Sequence, residues 1–141
     1  MRSSMIQKCS SMRVNARKKL MKRAVFAACL LNVYDFVLDI IEDDGDETYT
    51  VCDGPKQFRI HIAKDTYGFE LMDHIGHEMV HVAQYMRGDL KDDNGGTIWK
   101  GDLYPDPEYL SDEYFLAPWE MEARALQAWI THKWENRREL H

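Results

Sequence analysis

The chain has 141 residues, a formal net charge of −6 and three cysteines. This length predicts one domain over residues 1–141 with a single core. An odd number of cysteines without a C-x-x-C pair excludes a disulfide framework and indicates the reducing cytoplasm. An apolar run at residues 24–31 is too short to cross a bilayer, so we expect no membrane partner.

The charge is distributed unevenly along the chain. Residues 1–23 hold 8 of the 18 basic residues, whereas all 24 acidic residues lie at or after Asp35. A basic segment on an acidic body is typical of nucleic-acid contact or of a solvated helix face, and the second interpretation is the more frequent one. We expect this segment to be partly flexible. Its basic residues are Arg2, Lys8, Arg13, Arg17, Lys18, Lys19, Lys22 and Arg23.

The first half of the chain predicts one helix followed by a small sheet. Residues 12–32 are expected to form a helix with its apolar end in the core. Segments at 36–41, 48–52 and 57–62 are apolar, β-branched or alternating, and turns rich in Asp, Gly and Pro separate them. We therefore expect an α+β domain with an antiparallel or mixed sheet that has one face on the core. The acidic turn at 42–46 lacks the ligand spacing of an EF-hand loop.

The strongest local signal is the pattern H-E-x-x-H at residues 77–81. His77 and His81 lie one helical turn apart, so both imidazoles can reach one metal ion, and zinc accepts such nitrogen ligands. Glu78 lies where it can take a proton from a metal-bound water. Apolar residues repeat at helical spacing from residue 69 to 86, which predicts an amphipathic helix around the motif.

A third zinc ligand must come from another position in the chain. The longer pattern H-E-x-x-H-x-x-G-x-x-H would supply a third histidine, but Gln84 and Arg87 stand at its glycine and histidine positions. His74 shares the helix face, yet a ligand two turns from His81 would strain the site. The remaining source is a carboxylate on another helix.

The end of the chain offers two such carboxylates. Residues 89–112 are rich in Asp, Gly and Pro and predict a long loop with one short strand. A final helix is expected over 119–130, after a proline typical of a first turn. Either Glu120 or Glu122 could be the third ligand, and the periodicity places Glu122 nearer to the buried stripe of this helix.

The residues from His77 to Gln84, followed by those from Pro118 to Ala123, resemble the gluzincin zinc metallopeptidases, above all the small, minimal members that bacteriophages encode. In this family the third ligand is the first Glu of an E-x-x-A-D type motif on a later helix, which maps to Glu120, while Arg124 replaces the usual Asp. The resemblance implies an N-terminal helix, a small sheet, a metal helix and a glutamate helix. It also implies a location in the cytoplasm, including the cytoplasm of a host cell infected by a phage.

Motif and resemblance together predict a zinc-dependent peptidase that acts on a peptide or protein. Zn²⁺ on His77, His81 and Glu120, with Glu122 as the alternative, would activate a water, and Glu78 would be the general base. A further donor is expected to stabilise the oxyanion. The candidates for that donor are Tyr104, Tyr109, Tyr114 and His132.

Two other functions fit the same residues. A metal-binding module without catalytic activity would keep the ligands and bind a partner. A nucleic-acid-associated protease would use residues 1–23 for phosphate contacts. A purely structural zinc site normally has four protein ligands, often cysteines, and this sequence offers no such set.

Overall fold

The computed structural model describes residues 11–42 and 45–137. These residues form four α-helices and two β-sheets, which confirms the α+β class. The helices are α1 (Lys18–Leu30), α2 (Phe69–Met86), α3 (Asp112–Leu116) and α4 (Pro118–Glu135). The strands are β1 (Arg13–Asn15), β2 (Val37–Glu42), β3 (Tyr49–Gly54), β4 (Gln57–Ile62), β5 (Leu90–Asp93), β6 (Gly96–Trp99) and β7 (Asp102–Tyr104).

The first sheet has the strand order β1-β2-β4-β3 and is mixed. β2 pairs in parallel with both β1 and β4, whereas β3 and β4 are antiparallel. Of the two predicted arrangements, the purely antiparallel one is wrong, because β4 inserts between β2 and β3, prevents a hairpin of β2 with β3, and pairs in parallel with β2. β3 is consequently the last strand on one side of the sheet.

The N-terminal segment is more regular than the sequence predicts. Residues 11–23 contain β1 and the first turns of α1, and the partial flexibility expected of the basic segment stays a prediction. The helix predicted over 12–32 begins only at Lys18, because residues 13–15 pair with residues 37–39 of β2. The remainder of the basic segment, residues 1–10, lies outside the described residues.

The main core lies between one face of the first sheet and the helices α1, α2 and α4. Side chains along β2 and β4 alternate between buried and more exposed, which is the period of strands that cover a core with one face. The central helix α2 is buried along most of its length. The largest fully buried apolar side chains are Leu20, Phe36, Leu38, Ile60, Leu71, Met72, Ile75, Met79, Val80, Val82 and Ile130.

Helices α2 and α4 approach each other closely at one glycine. A Cβ atom at Gly76 would lie 3.3 Å from Cγ2 of Ile130, which is tighter than an ordinary van der Waals contact. The absence of a side chain at position 76 therefore lets the two helices come together. This contact fixes the distance between the H-E-x-x-H helix and the helix that carries the candidate glutamates.

The second sheet occupies the segment that the sequence predicts to be a long loop. β5, β6 and β7 form an antiparallel three-stranded sheet, so the prediction of a single strand is wrong. Gly96 and Gly101 have positive φ angles of 146° and 90° and permit the tight turns that join the strands. The abundant Asp and Gly residues conceal the apolar alternation on which a strand prediction depends.

A small aromatic cluster lies beneath this second sheet. It consists of Leu90, Trp99, Ala117 and Trp119, all buried. The Trp99 and Trp119 rings are 6.3 Å apart between centroids. Since Trp119 belongs to the first turn of α4, this cluster anchors the N-terminal end of α4.

None of the helices in the described ranges combines the length and the apolar composition of a bilayer-crossing segment.

Candidate metal centre

Helix α2 brings the three residues of the H-E-x-x-H motif to one place. Its apolar stripe, which includes Ile75 and Met79, faces the core and has no exposed surface. The polar side directs His77 and His81 toward Glu120 of α4 and Glu78 toward Thr50 of β3. The centroids of the two imidazole rings lie 4.9 Å apart, at an interplanar angle of 78°.

The first turn of α4 supplies the carboxylate that completes the group. Glu120 Oε1 lies 2.9 Å from Nε2 of His77, and Oε2 lies 2.9 Å from Nε2 of His81. Glu120 is buried, with a relative exposure of 5%. The ligand atoms of these three residues lie within 4.8 Å of one another, so the group could hold a metal ion.

Glu122, the alternative third ligand, points to another set of partners. Its Oε1 accepts hydrogen bonds from Arg87, at 2.7 Å, and from the Gln84 side chain, at 3.1 Å. The periodicity argument favours Glu122 because it assumes that α4 has one buried face. The helix is in fact covered on two sides, by α2 and by the aromatic cluster, and Glu120 is buried where its carboxylate meets His77 and His81 of α2.

The charges around the site favour a cation between the imidazoles. Burial lowers the pKa of His81, but the hydrogen bond with Glu120 and the negative charges of Glu78 and Glu120 raise it to about 9. Burial raises the pKa of Glu120, yet its hydrogen bonds with His77 and His81 hold that pKa well below the usual range. The carboxylates thus stabilise positive charge on the His81 imidazole, and a metal cation beside it would experience the same field.

The set of ligand atoms determines which kind of metal site these residues could form. Two imidazole nitrogens and one carboxylate oxygen leave a coordination position free for water or substrate. A closed structural site would instead require a fourth protein ligand, and in the described ranges the metal-ligating group contains three residues. The residues therefore fit zinc in an open site.

A glutamine side chain supports each imidazole at its other nitrogen. Nδ1 of His81 lies 2.8 Å from Oε1 of Gln84, and Nδ1 of His77 lies 2.9 Å from Oε1 of Gln127. These contacts leave both Nε2 atoms directed at Glu120. Outer partners of this kind orient metal-ligating imidazoles.

Arg124, which replaces the family's usual Asp, has a different role. Its guanidinium donates to the carbonyl oxygen of Phe115 and lies over the Phe115 ring at 5.4 Å from the centroid. It therefore ties α4 to α3 and leaves the support of His77 to Gln127. The group that contacts Nδ1 of His77 is thus the side-chain amide of Gln127, three residues further along α4.

Glu78 is held separately from the three candidate ligands. The Thr50 hydroxyl of β3 donates a hydrogen bond of 2.7 Å to Oε1 of Glu78, and Glu78 has a relative exposure of 6%. Burial raises the pKa of this carboxyl, while the nearby His81 and His77 and the Thr50 hydrogen bond act in the opposite direction. A buried carboxylate that contacts the site without belonging to the ligand group has the environment of a general base.

Two clefts meet at these residues. The sheet-side cleft has a volume of about 180 Å³ and extends toward Leu90 and Thr97 of the second sheet. The helix-side cleft has a volume of about 300 Å³ and extends toward Phe115 and Arg124. Both clefts are lined by Thr48, His77, Glu78, Tyr114 and Glu120. A long substrate could therefore lie across the site with a segment on each side.

Of the four candidate oxyanion donors, two line the clefts and two lie elsewhere. Tyr114 lines both clefts and Tyr109 lines the helix-side cleft, where their rings meet edge to face at 5.2 Å between centroids. Tyr104 instead packs edge to face on Trp119. His132 lines neither cleft and contacts Asn136 near the end of α4.

His74, Arg17 and Arg23 have partners outside the ligand group. His74 Nδ1 lies 2.7 Å from the Thr48 hydroxyl. Arg17 forms a bidentate pair with Glu42, and Arg23 lies over the Trp134 ring at 4.8 Å. Lys18, Lys19 and Lys22 are exposed on α1. Nucleic-acid contact through these lysines stays a prediction.

Three residues of the site are absent from the sequence-based set: Thr50, Gln84 and Gln127. Gln84 follows His81 by three residues, a spacing that places side chains side by side on a helix, so the sequence contains a usable signal for it. Gln127 lies two turns from Glu120 on the same helix, a weaker signal. The contact of Thr50 depends on the packing of β3 against α2, which no local pattern encodes.

Comparison with known proteins gives no match: no family model, no curated protein and no solved structure is similar to this chain at a significant level. The gluzincin resemblance, which depends on two short segments, and the location in a phage-infected host therefore remain predictions.

Proposed function

We propose that the protein is a zinc-dependent peptidase that hydrolyses peptide bonds in extended segments of its substrate. One observation carries this proposal above the others. A buried carboxylate, Glu78, lines both clefts beside the candidate ligand group without belonging to it and is held by the Thr50 hydroxyl. A site that only bound a metal would gain nothing from burying a second carboxylate beside it, because that burial costs free energy.

In this proposal His77, His81 and Glu120 hold the zinc ion. When bound, zinc would lower the pKa of a water molecule in the site and polarise a carbonyl oxygen. The Glu78 carboxylate accepts a proton from the attacking water and later delivers it to the leaving amine. Thr50 keeps that carboxylate in place through its hydrogen bond of 2.7 Å.

Tyr114 is the best-placed donor for the developing oxyanion. It lines both clefts where they meet. Burial is the main cause that raises the pKa of its phenol, so the hydroxyl keeps its proton at neutral pH and can donate it in a hydrogen bond. The substrate carbonyl would then lie between Tyr114 and the ligand group.

The edge of the first sheet offers a surface for the substrate backbone. β3 is the terminal strand of its sheet, and Tyr49 and Thr50 of this strand line the sheet-side cleft. An extended peptide can add to such an edge through main-chain hydrogen bonds. This geometry, together with clefts on two sides of the site, favours cleavage within a chain.

Glu78→Gln tests the proposal. The zinc-loaded wild-type protein, Glu78→Gln and Glu70→Gln would be incubated with a peptide library and the products identified by mass spectrometry. Glu70 is an exposed acidic residue in the first turn of the same helix and serves as the control. We expect Glu78→Gln to retain zinc and to lose about 10²–10⁴-fold in rate, whereas Glu70→Gln keeps the wild-type rate.

Two results would contradict the proposal. Full activity of Glu78→Gln would show that Glu78 is not the base. A zinc-loaded wild-type protein that cleaves no peptide in the library would favour the metal-binding module without catalytic activity.

A further inference from the structure

A chain of polar contacts connects the protein surface to the candidate ligand His81. Arg87 donates to Oε1 of Glu122 at 2.7 Å, Nε2 of Gln84 donates to the same oxygen at 3.1 Å, and Oε1 of Gln84 lies 2.8 Å from Nδ1 of His81. Gln84 has a relative exposure of 0%. Its amide is therefore shielded from bulk solvent, and its contacts are made with protein groups.

The partners of Gln84 fix the orientation of its amide. The NH₂ group has two acceptors, the Glu122 carboxylate and the carbonyl oxygen of Trp119 at 3.0 Å. If the amide were rotated by half a turn, its oxygen would face these two acceptors and no hydrogen bond would form. The amide oxygen must therefore face His81, and it accepts the proton of Nδ1.

Gln127 holds His77 less firmly than Gln84 holds His81, as judged by the burial of the amide and by its hydrogen-bond partners. The side chain of Gln127 is partly exposed, and its contact of 2.9 Å with Nδ1 of His77 is the one side-chain hydrogen bond that it makes within the described ranges. Nothing comparable to the Glu122 carboxylate fixes which end of this amide faces the imidazole. Water could take its place as an acceptor.

We propose that Gln84, oriented by Glu122, is a positioning residue that fixes His81 as the Nδ1–H tautomer and directs its Nε2 at the metal, whereas Gln127 only assists His77. This inference rests on the metal site proposed above. It gives Glu122 the function of orienting an amide rather than of binding the ion. Because the amide is neutral, the support adds no negative charge beside the imidazole, in contrast to a carboxylate partner.

The proposal is tested by zinc affinity, measured by competition with a chromogenic chelator on the full-length protein. Gln84→Met keeps the length of the side chain but removes the acceptor, and we expect it to raise the zinc Kd by about 10–100-fold. Gln127→Met is the matched variant on the other imidazole and is expected to raise the Kd by less than about 10-fold, since water can accept from Nδ1 of His77.

A double variant separates positioning from a general loss of packing. Gln84→Glu combined with Glu122→Gln exchanges the amide and the carboxylate, so residue 84 still accepts from His81 and is still held by an NH₂ donor. We expect this double variant to bind zinc more tightly than Gln84→Met, although it loses the donor to Trp119. Equal Kd values for the two variants, or Gln84→Met within about twofold of wild type, would overturn the proposal.

Nitrogen NMR of the zinc-loaded wild-type protein provides a test that does not depend on any variant folding. With ¹⁵N-labelled histidine, we expect Nδ1 of His81 to carry a proton that exchanges slowly with solvent, and the corresponding proton of His77 to exchange faster. A zinc-bound Nδ1 on His81, or equal exchange at both rings, would overturn the proposal. If the wild-type protein binds no zinc, the metal site itself fails. If wild type binds zinc and Gln84→Met binds it equally well, only the positioning role fails.

Discussion

The two regions that form the candidate site pack against different hydrophobic clusters. His77, Glu78 and His81 belong to one regular helix that lies in the main core, where Ile75 and Met79 have no exposed surface. Glu120 belongs to the first turn of α4, which rests on the small cluster of Leu90, Trp99, Ala117 and Trp119. The difference shows that the motif alone does not build the metal site. The third ligand depends on the packing of a second, much smaller region.

The largest expected difference between the two regions appears when one large side chain is removed from each. Leu38→Ala, at a fully buried position of β2, is expected to lower the free energy of unfolding by about 4 kcal/mol. Trp99→Ala is expected to lower it by about 3 kcal/mol. Only Trp99→Ala should also raise the zinc Kd of the folded protein, because Trp99 supports the turn that carries Glu120.

Denaturant unfolding and chelator competition on the same preparations measure both quantities. Equal zinc affinity in the two variants would mean that the aromatic cluster does not position the third ligand.

The contact between the two helices offers a second test. Gly76→Val places a branched side chain where even a Cβ atom would lie 3.3 Å from Ile130, so we expect a loss of about 1–3 kcal/mol from overpacking. The zinc Kd should rise as well, since α4 moves away from α2 and takes Glu120 with it. Thermal unfolding with and without zinc measures both effects.

The control for this variant reduces the partner side chain. Gly76→Val combined with Ile130→Ala removes the atoms that clash and should recover part of the stability and of the zinc affinity. A double variant that is no better than Gly76→Val would place the cause elsewhere than in the contact between the helices.

The smallest expected effect concerns the base rather than the ligands. Thr50→Val removes the hydrogen bond to Glu78 but keeps the shape of the side chain. A hydrogen bond to a charged group contributes about 1.5 kcal/mol, so we expect the rate of peptide hydrolysis to fall about tenfold with an unchanged zinc Kd. Thr66→Val is the matched control, since the Thr66 hydroxyl also donates a hydrogen bond of 2.7 Å, to the carbonyl oxygen of Ala63, but Thr66 lines neither cleft. Equal rates for the two variants would deny Thr50 this role.

The same division between regions explains how much of the molecule the sequence predicts. The α2 part is predictable because the i, i+4 spacing of His77 and His81 and the apolar stripe are local patterns. The choice between Glu120 and Glu122 is not, because it depends on how α4 is placed against His77 and His81 of α2. The strand order of the first sheet and the presence of the second sheet are not predicted either, since strand order and polar hairpins depend on contacts that are distant in sequence.

The residues that hold the ligands and the base in place are only partly predictable from the sequence. The spacing of Gln84 from His81 is local and visible, but its hydrogen bonds to Glu122 and Trp119 arise only when α4 packs on α2. Thr50 shows the opposite extreme, because its contact with Glu78 joins residues that are 28 positions apart. Sequence reasoning finds ligands that share a helix more readily than the groups that hold them in place.

The most direct test of the account is the zinc content of the purified protein, measured after dialysis for wild type, Glu120→Gln and Glu122→Gln. Both substitutions replace a carboxylate by an amide of nearly the same shape. We expect about one zinc per chain in wild type, a value close to it in Glu122→Gln and a large loss in Glu120→Gln, because a neutral amide is a poor zinc ligand. Full retention of zinc by Glu120→Gln, or a loss confined to Glu122→Gln, would contradict a metal centre formed by His77, His81 and Glu120.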